Sequence, residues 1–117
     1  MTLSTLAISV ALLVQALSSD PELMRVTCYT GGSVTATGTE PRYGICAASP
    51  EYYGKTALVY DSEMHFIDAF DIEDTGSHMR IQNGSSIDIW QPTLEDCYEW
   101  VGTYGDYMYV QIVDADG

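Results

Sequence analysis

At 117 residues the chain has room for one domain around one core. Seventeen acids against four Lys and Arg give a formal charge of −13. That balance argues against nucleic acid, whose counterions four cations cannot displace, and against docking on an anionic bilayer through basic residues. A hydrophobic fraction of 46% belongs to a globular chain, so the acidity reads first as solubility.

Residues 1–21 read as a hydrophobic leader or an N-terminal helix with a linker, and residues 22–117 as one domain. The run Leu6 to Leu17 is too short to span a bilayer, and Ala16-Leu17-Ser18 offers small residues for cleavage, as in a secretory signal. Met1 to Thr5 lacks the usual basic residues. Leu3, Leu6, Val10, Leu13 and Leu17 also fall at helical spacing, an apolar seam suited to oligomerisation. Ser18-Ser19-Asp20-Pro21 is the linker.

Beyond it, short runs rich in β-branched and aromatic residues alternate with turn formers. They predict strands over Val26–Thr30, Tyr43–Ala48, Ala57–Tyr60, His65–Ile72, Ile87–Trp90 and Tyr107–Val113. In the fifth, alternation puts Asp88 and Trp90 on one face and Ile87 and Ile89 on the other. One helix interrupts the series. Thr93 suits its N-cap, Glu95 and Asp96 its first turn, and Gly102 or Gly105 its end. Its predicted apolar face is Leu94, Cys97, Tyr98 and Val101. Six strands and one late helix predict an all-β fold, a small closed barrel.

Two carboxylates stand out. Asp74 runs into Thr75-Gly76, and Asp88 sits inside an apolar strand, where a charge is costly unless it has a use. Upstream, Thr35-Ala36-Thr37-Gly38-Thr39 supplies hydroxyls and a glycine hinge. Acids beside a hydroxyl-rich turn point to a polar substrate, sugar above all. Cys28, Cys46 and Cys97 fit either one bridge with a thiol left over, in an exported chain, or three buried thiols. With His65 and His78 they match no zinc spacing, and the acidic tail lacks a full calcium loop, so no metal and no cofactor is expected.

In order, the strings Val26-Thr27-Cys28-Tyr29-Thr30, Thr35-Ala36-Thr37-Gly38-Thr39, Gly44-Ile45-Cys46-Ala47-Ala48, Asp74-Thr75-Gly76, Ile87-Asp88-Ile89-Trp90 and Glu99-Trp100 resemble the 3D domain family. That family is named for three aspartates and is similar to the barrel of membrane-bound lytic transglycosylase A. The resemblance runs over about residues 25–114. It implies a six-stranded double-psi β-barrel that cleaves peptidoglycan between N-acetylmuramic acid and N-acetylglucosamine. It also implies Asp88 as general acid and Asp74 as a supporting catalytic residue, with Thr35, Thr37, Thr75, Gly76, Ser49 and Trp90 meeting substrate. Three departures weaken the activity more than the fold. Ser49 stands where the family carries its first aspartate, Ser77 replaces a second glycine, and the stretch His78–Asn83 reads as an enlarged loop.

The chemistry is coherent on one acid. Ordinary glycosidases need two carboxylates, one to activate water or form a covalent intermediate. A lytic transglycosylase uses the muramyl 6-hydroxyl as nucleophile, so one carboxyl can give and then take a proton. Its pKa must be raised, and Ile87, Ile89, Trp90, Asp74 and the overall charge all act in that direction. The implied partner is the peptidoglycan glycan strand, with no nucleic acid, and with a membrane only if the leader is retained. The implied location is secreted or wall-associated, and a phage-related origin fits. Plainer readings compete. Asp74 can be a turn former, Trp90 and Trp100 core residues, and the barrel a wall-binding or structural module that oligomerises through its N-terminal segment.

Overall fold

The computed structural model describes residues 20–115. The leader, the leucine seam and the last two residues lie outside that range. Six strands form: β1 (Glu22–Tyr29), β2 (Ile45–Ala47), β3 (Lys55–Tyr60), β4 (Phe66–Asp74), β5 (Ser86–Trp90) and β6 (Tyr107–Asp114). They close into a barrel in the order β1-β5-β2-β4-β3-β6, with β6 paired back onto β1. Closure leaves no free sheet edge. The pairs β1/β5 and β2/β4 run parallel and the other four antiparallel. The protein is therefore the all-β barrel its turn-punctuated sequence predicts.

Alternation builds the interior. Met24 and Val26 of β1, Ile87 and Ile89 of β5, Phe70 and Ile72 of β4, Val59 of β3 and Met108 and Val110 of β6 all point inward and are buried. Each such side chain contributes about 1.5–3 kcal/mol on leaving water. The same pleat sends Arg25 and Thr27 of β1, and Asp88 of β5, to the outer face.

The late helix, α2 (Leu94–Tyr104), follows in the chain a shorter one, α1 (Met79–Gln82), which occupies the stretch read as an enlarged loop. In α2, Thr93 Oγ1 accepts from Asp96 N at 3.1 Å, and Gly105 at φ +78° ends the helix where a side chain would strain the backbone. Its buried face keeps Cys97 and Val101 of the predicted one and departs from it at two positions. Leu94 is 55% and Tyr98 69% exposed, whereas Cys97 and Trp100 are buried, with Val101 and Tyr104 against the core. The reason is aromatic. The Trp100 ring meets Phe70 edge-on, with centroids 5.8 Å apart, and Tyr104 at 4.7 Å, and the helix turns to seat the indole on the barrel. Trp100 is core, as its plainer reading had it.

Candidate active site on the outer face of β1 and β5

Parallel pairing sets Thr27 directly opposite Asp88. Thr27 Oγ1 donates to Asp88 Oδ1 at 2.8 Å, and among the described residues this is the only hydrogen bond to the Asp88 carboxylate. The second oxygen has no hydrogen-bond partner among the described residues. Asp88 is half-buried and lines a cavity of about 550 Å³ between the outer face of β1 and β5 and the helix α1, together with Arg25, Thr27, His78, Arg80 and Ser86.

Burial is the largest cause that pushes the Asp88 pKa up, since it disfavours the charged form. The Thr27 hydrogen bond opposes it, and the negative charge of Asp74 adds to it. A carboxyl that is half-desolvated, near a second acid and open to a cavity is arranged to hold a proton above the usual aspartate range.

Asp74 has a different environment. It is the last residue of β4, which runs two residues past its predicted end, and both its oxygens are engaged. Oδ2 accepts from the Tyr29 hydroxyl at 2.8 Å, and Oδ1 accepts from Ala36 N at 2.9 Å. Burial first, and then the hydrogen bond to Asp74, push the Tyr29 phenol well up. Asp74 thus ties β1 and the Thr35–Thr39 turn to the end of β4, and it acts on Asp88 through its charge.

The threonine stretch closes on itself as a tight turn. Thr35 N donates to Thr39 O at 2.8 Å, Gly38 N donates to Thr35 O at 3.0 Å, and Gly38 sits at φ +91°, a conformation that favours glycine. Thr35 is buried, and its hydroxyl bonds those of Thr39 at 2.7 Å and Thr37 at 3.3 Å. Thr37 Oγ1 donates to Glu73 O at 2.7 Å. The Arg42 guanidinium forks on Glu73 at 2.8 and 2.6 Å and holds that carboxyl below its ordinary pKa. These hydroxyls bind one another and β4 and do not line the Asp88 cavity.

Three of the remaining predicted residues, Thr75, Gly76 and Ser49, hold α1 in place. Thr75 Oγ1 donates to Ala48 O at 2.8 Å, and Gln82 Nε2 donates to Thr75 Oγ1 at 3.3 Å and to Gly76 O at 2.5 Å. Ser49, buried, donates to the Gln82 carbonyl at 3.2 Å. Trp90 shares the outer face with Asp88, and its Nε1 donates to Gly31 O at 2.9 Å. Of the eight predicted site residues, then, only Asp88 lines the cavity, and Asp74 reaches it electrostatically.

Sequence reasoning passed over Arg25, Thr27 and Arg80 as site residues. The alternation that faces Asp88 outward also places Thr27 and Arg25 outward on β1, but their pairing with β5 across 61 positions becomes visible only in the register. Among the described residues no group of three His, Cys, Asp or Glu side chains is disposed to hold a metal ion. No protein-family model and no curated protein sequence matches this chain.

Proposed function

We propose that the protein is a lytic transglycosylase acting on peptidoglycan, with Asp88 as its single acid and base. The observation behind this reading is the state of Asp88: raised in pKa by burial, held at one oxygen by Thr27, and set in the wall of a cavity. Such a carboxyl can protonate the glycosidic oxygen while the bond from C1 of the muramyl ring breaks. The muramyl 6-hydroxyl then bonds to C1, and its proton returns to Asp88. Water takes no part, and the acid is regenerated. The two parallel pairs, β1/β5 and β2/β4, support a double-psi form of the barrel and with it the resemblance to the 3D domain.

Digestion of sacculi tests this directly. Wild type is expected to release fragments one water lighter than hydrolysis products, with 1,6-anhydro ends. Asp88→Asn should keep the fold and lose about 10²–10⁴-fold in rate. Equal turnover by that variant would remove Asp88 from the role.

One observation favours a second reading, a wall-binding module without catalysis. Ser49, in the place of a family aspartate, carries no charge and spends its hydroxyl on the Gln82 carbonyl. Capture of the protein on intact sacculi without soluble fragments would select that reading.

A further inference from the structure

Four basic side chains face seventeen acids in this chain. Arg42 is forked on Glu73, and Lys55 pairs with Asp114 at 2.9 Å. The other two, Arg25 and Arg80, belong to different elements, β1 and α1, yet line the same cavity. Among the described residues neither guanidinium has a carboxylate within ion-pair distance. Asp88 lines the same cavity but lies beyond ion-pair distance of both guanidiniums, so the two can receive an anion from outside the chain. Guanidinium binds a carboxylate as a fork, with two parallel N–H donors, and the Ser86 hydroxyl at the cavity wall adds a further polar group.

We infer that this cavity binds a carboxylate borne by the glycan, gripped by Arg25 and Arg80, and so sets the sugar chain against Asp88. The proposal rests on the peptidoglycan reading above and narrows it to the acidic part of the substrate. The −13 charge works against a densely charged polyanion, which the whole molecule would repel, and suits carboxylates spaced apart along a chain of neutral sugar rings. A muramyl residue offers such a group in one of two forms: the free lactyl carboxylate at C3 where the stem is absent, or the carboxylates of the stem peptide where the lactyl group is amide-linked to it. Both offer the same chemistry to the arginines.

Calorimetry of the full chain, the Arg25→Gln and Arg80→Gln variants and their double mutant tests the site. Three soluble glycan fragments serve as probes: a stem-free muramyl fragment with a free lactyl carboxylate, a stem-bearing fragment, and a neutral N-acetylglucosamine oligomer. Each single substitution should weaken binding of the acidic fragments about tenfold and the double more, with the neutral oligomer unchanged. Binding of the stem-free fragment assigns the lactyl group, and Arg-dependent binding of the stem-bearing fragment alone assigns the peptide carboxylates. Equal affinity for acidic and neutral fragments, indifference to both substitutions, or no binding by wild type would overturn the site. Both arginines are exposed, so unchanged thermal unfolding shows that the variants fold. Anhydro products made equally well by the double variant would sink the anion site and spare the activity. Arg-dependent binding without cleavage would do the reverse.

Discussion

Asp88 and Asp74 share one neighbourhood and do opposite jobs, and the difference lies in their hydrogen bonds. Asp74 receives a phenol and a backbone N–H on its two oxygens, whereas Asp88 receives one hydroxyl and is half-desolvated. Removing the Asp74 charge with Asp74→Asn takes away one of the causes that raise the Asp88 pKa. Deprotonation of Asp88 then comes at lower pH, so the alkaline limb of a pH–rate profile should move down, and an unmoved limb would show that the two acids are uncoupled. Stability carries the same signature. The folded-state pKa of Asp88 lies above its unfolded value, so the folded chain binds the extra proton, and stability falls as pH rises from the ordinary carboxylate range through the folded pKa. Asn keeps an oxygen to accept from Thr27 and carries no charge. Asp88→Asn should therefore unfold at higher temperature than wild type near pH 7, with the advantage shrinking on acidification and gone below about pH 3.9. A constant difference across that range would mean that Asp88 does not titrate abnormally in the folded state.

At the scale of elements, α1 is the piece that makes a cavity out of an open sheet face. It is one turn long, too short to persist on its own propensity, and is held by Gln82 through Thr75 and Gly76 and by Ser49 through the Gln82 carbonyl. Gln82→Ala removes both side-chain bonds and should cost about 1 kcal/mol, felt chiefly as faster amide exchange over 76–85, with β1 and β5 protected as before. Loss of protection in the barrel strands would instead make Gln82 part of the global fold. This element also marks the limit of the sequence. The six strands and the capped helix were legible because alternation, β-branched residues and Gly, Pro and Thr punctuation all agree over them. The stretch His78–Asn83 has no apolar period long enough to show a helix, and it becomes one only through contacts with residues far away in sequence. For the same reason Asp88 could be picked out as a charge in an apolar strand, while Arg25 and Arg80, ordinary surface arginines in sequence, could not. The predicted face of α2 is right at Cys97 and Val101 and wrong at the other two positions. Leu94 and Tyr98 fit the helical period, but one large indole decided which side met the core.

For the whole molecule, the dominant long-range force is self-repulsion. Seventeen acids and four bases on 117 residues put like charges within reach of one another over most of the surface. Among the described residues the one forked pair, Arg42 with Glu73, is half-exposed on its arginine side, so it offsets little of this, at most about 1 kcal/mol. Salt acts on both terms with opposite sign. Raising ionic strength from about 0.01 M to about 1 M shortens the screening length from about 30 Å to about 3 Å, which weakens the ion pairs but removes nearly all of the repulsion between dispersed acids. Because the repulsive pairs far outnumber the attractive ones, the sum should favour the folded state, and sodium chloride should raise the thermal midpoint at pH 7. Each kcal/mol recovered moves that midpoint by about 4–8 °C in a domain of this size. Lowering the pH instead of adding salt discharges the same carboxylates, so the gain from salt should shrink as the solution approaches pH 4. A midpoint that falls with salt at neutral pH would mean that specific ion pairs outweigh the net charge. The Arg42–Glu73 fork would then be the first pair to break by mutation.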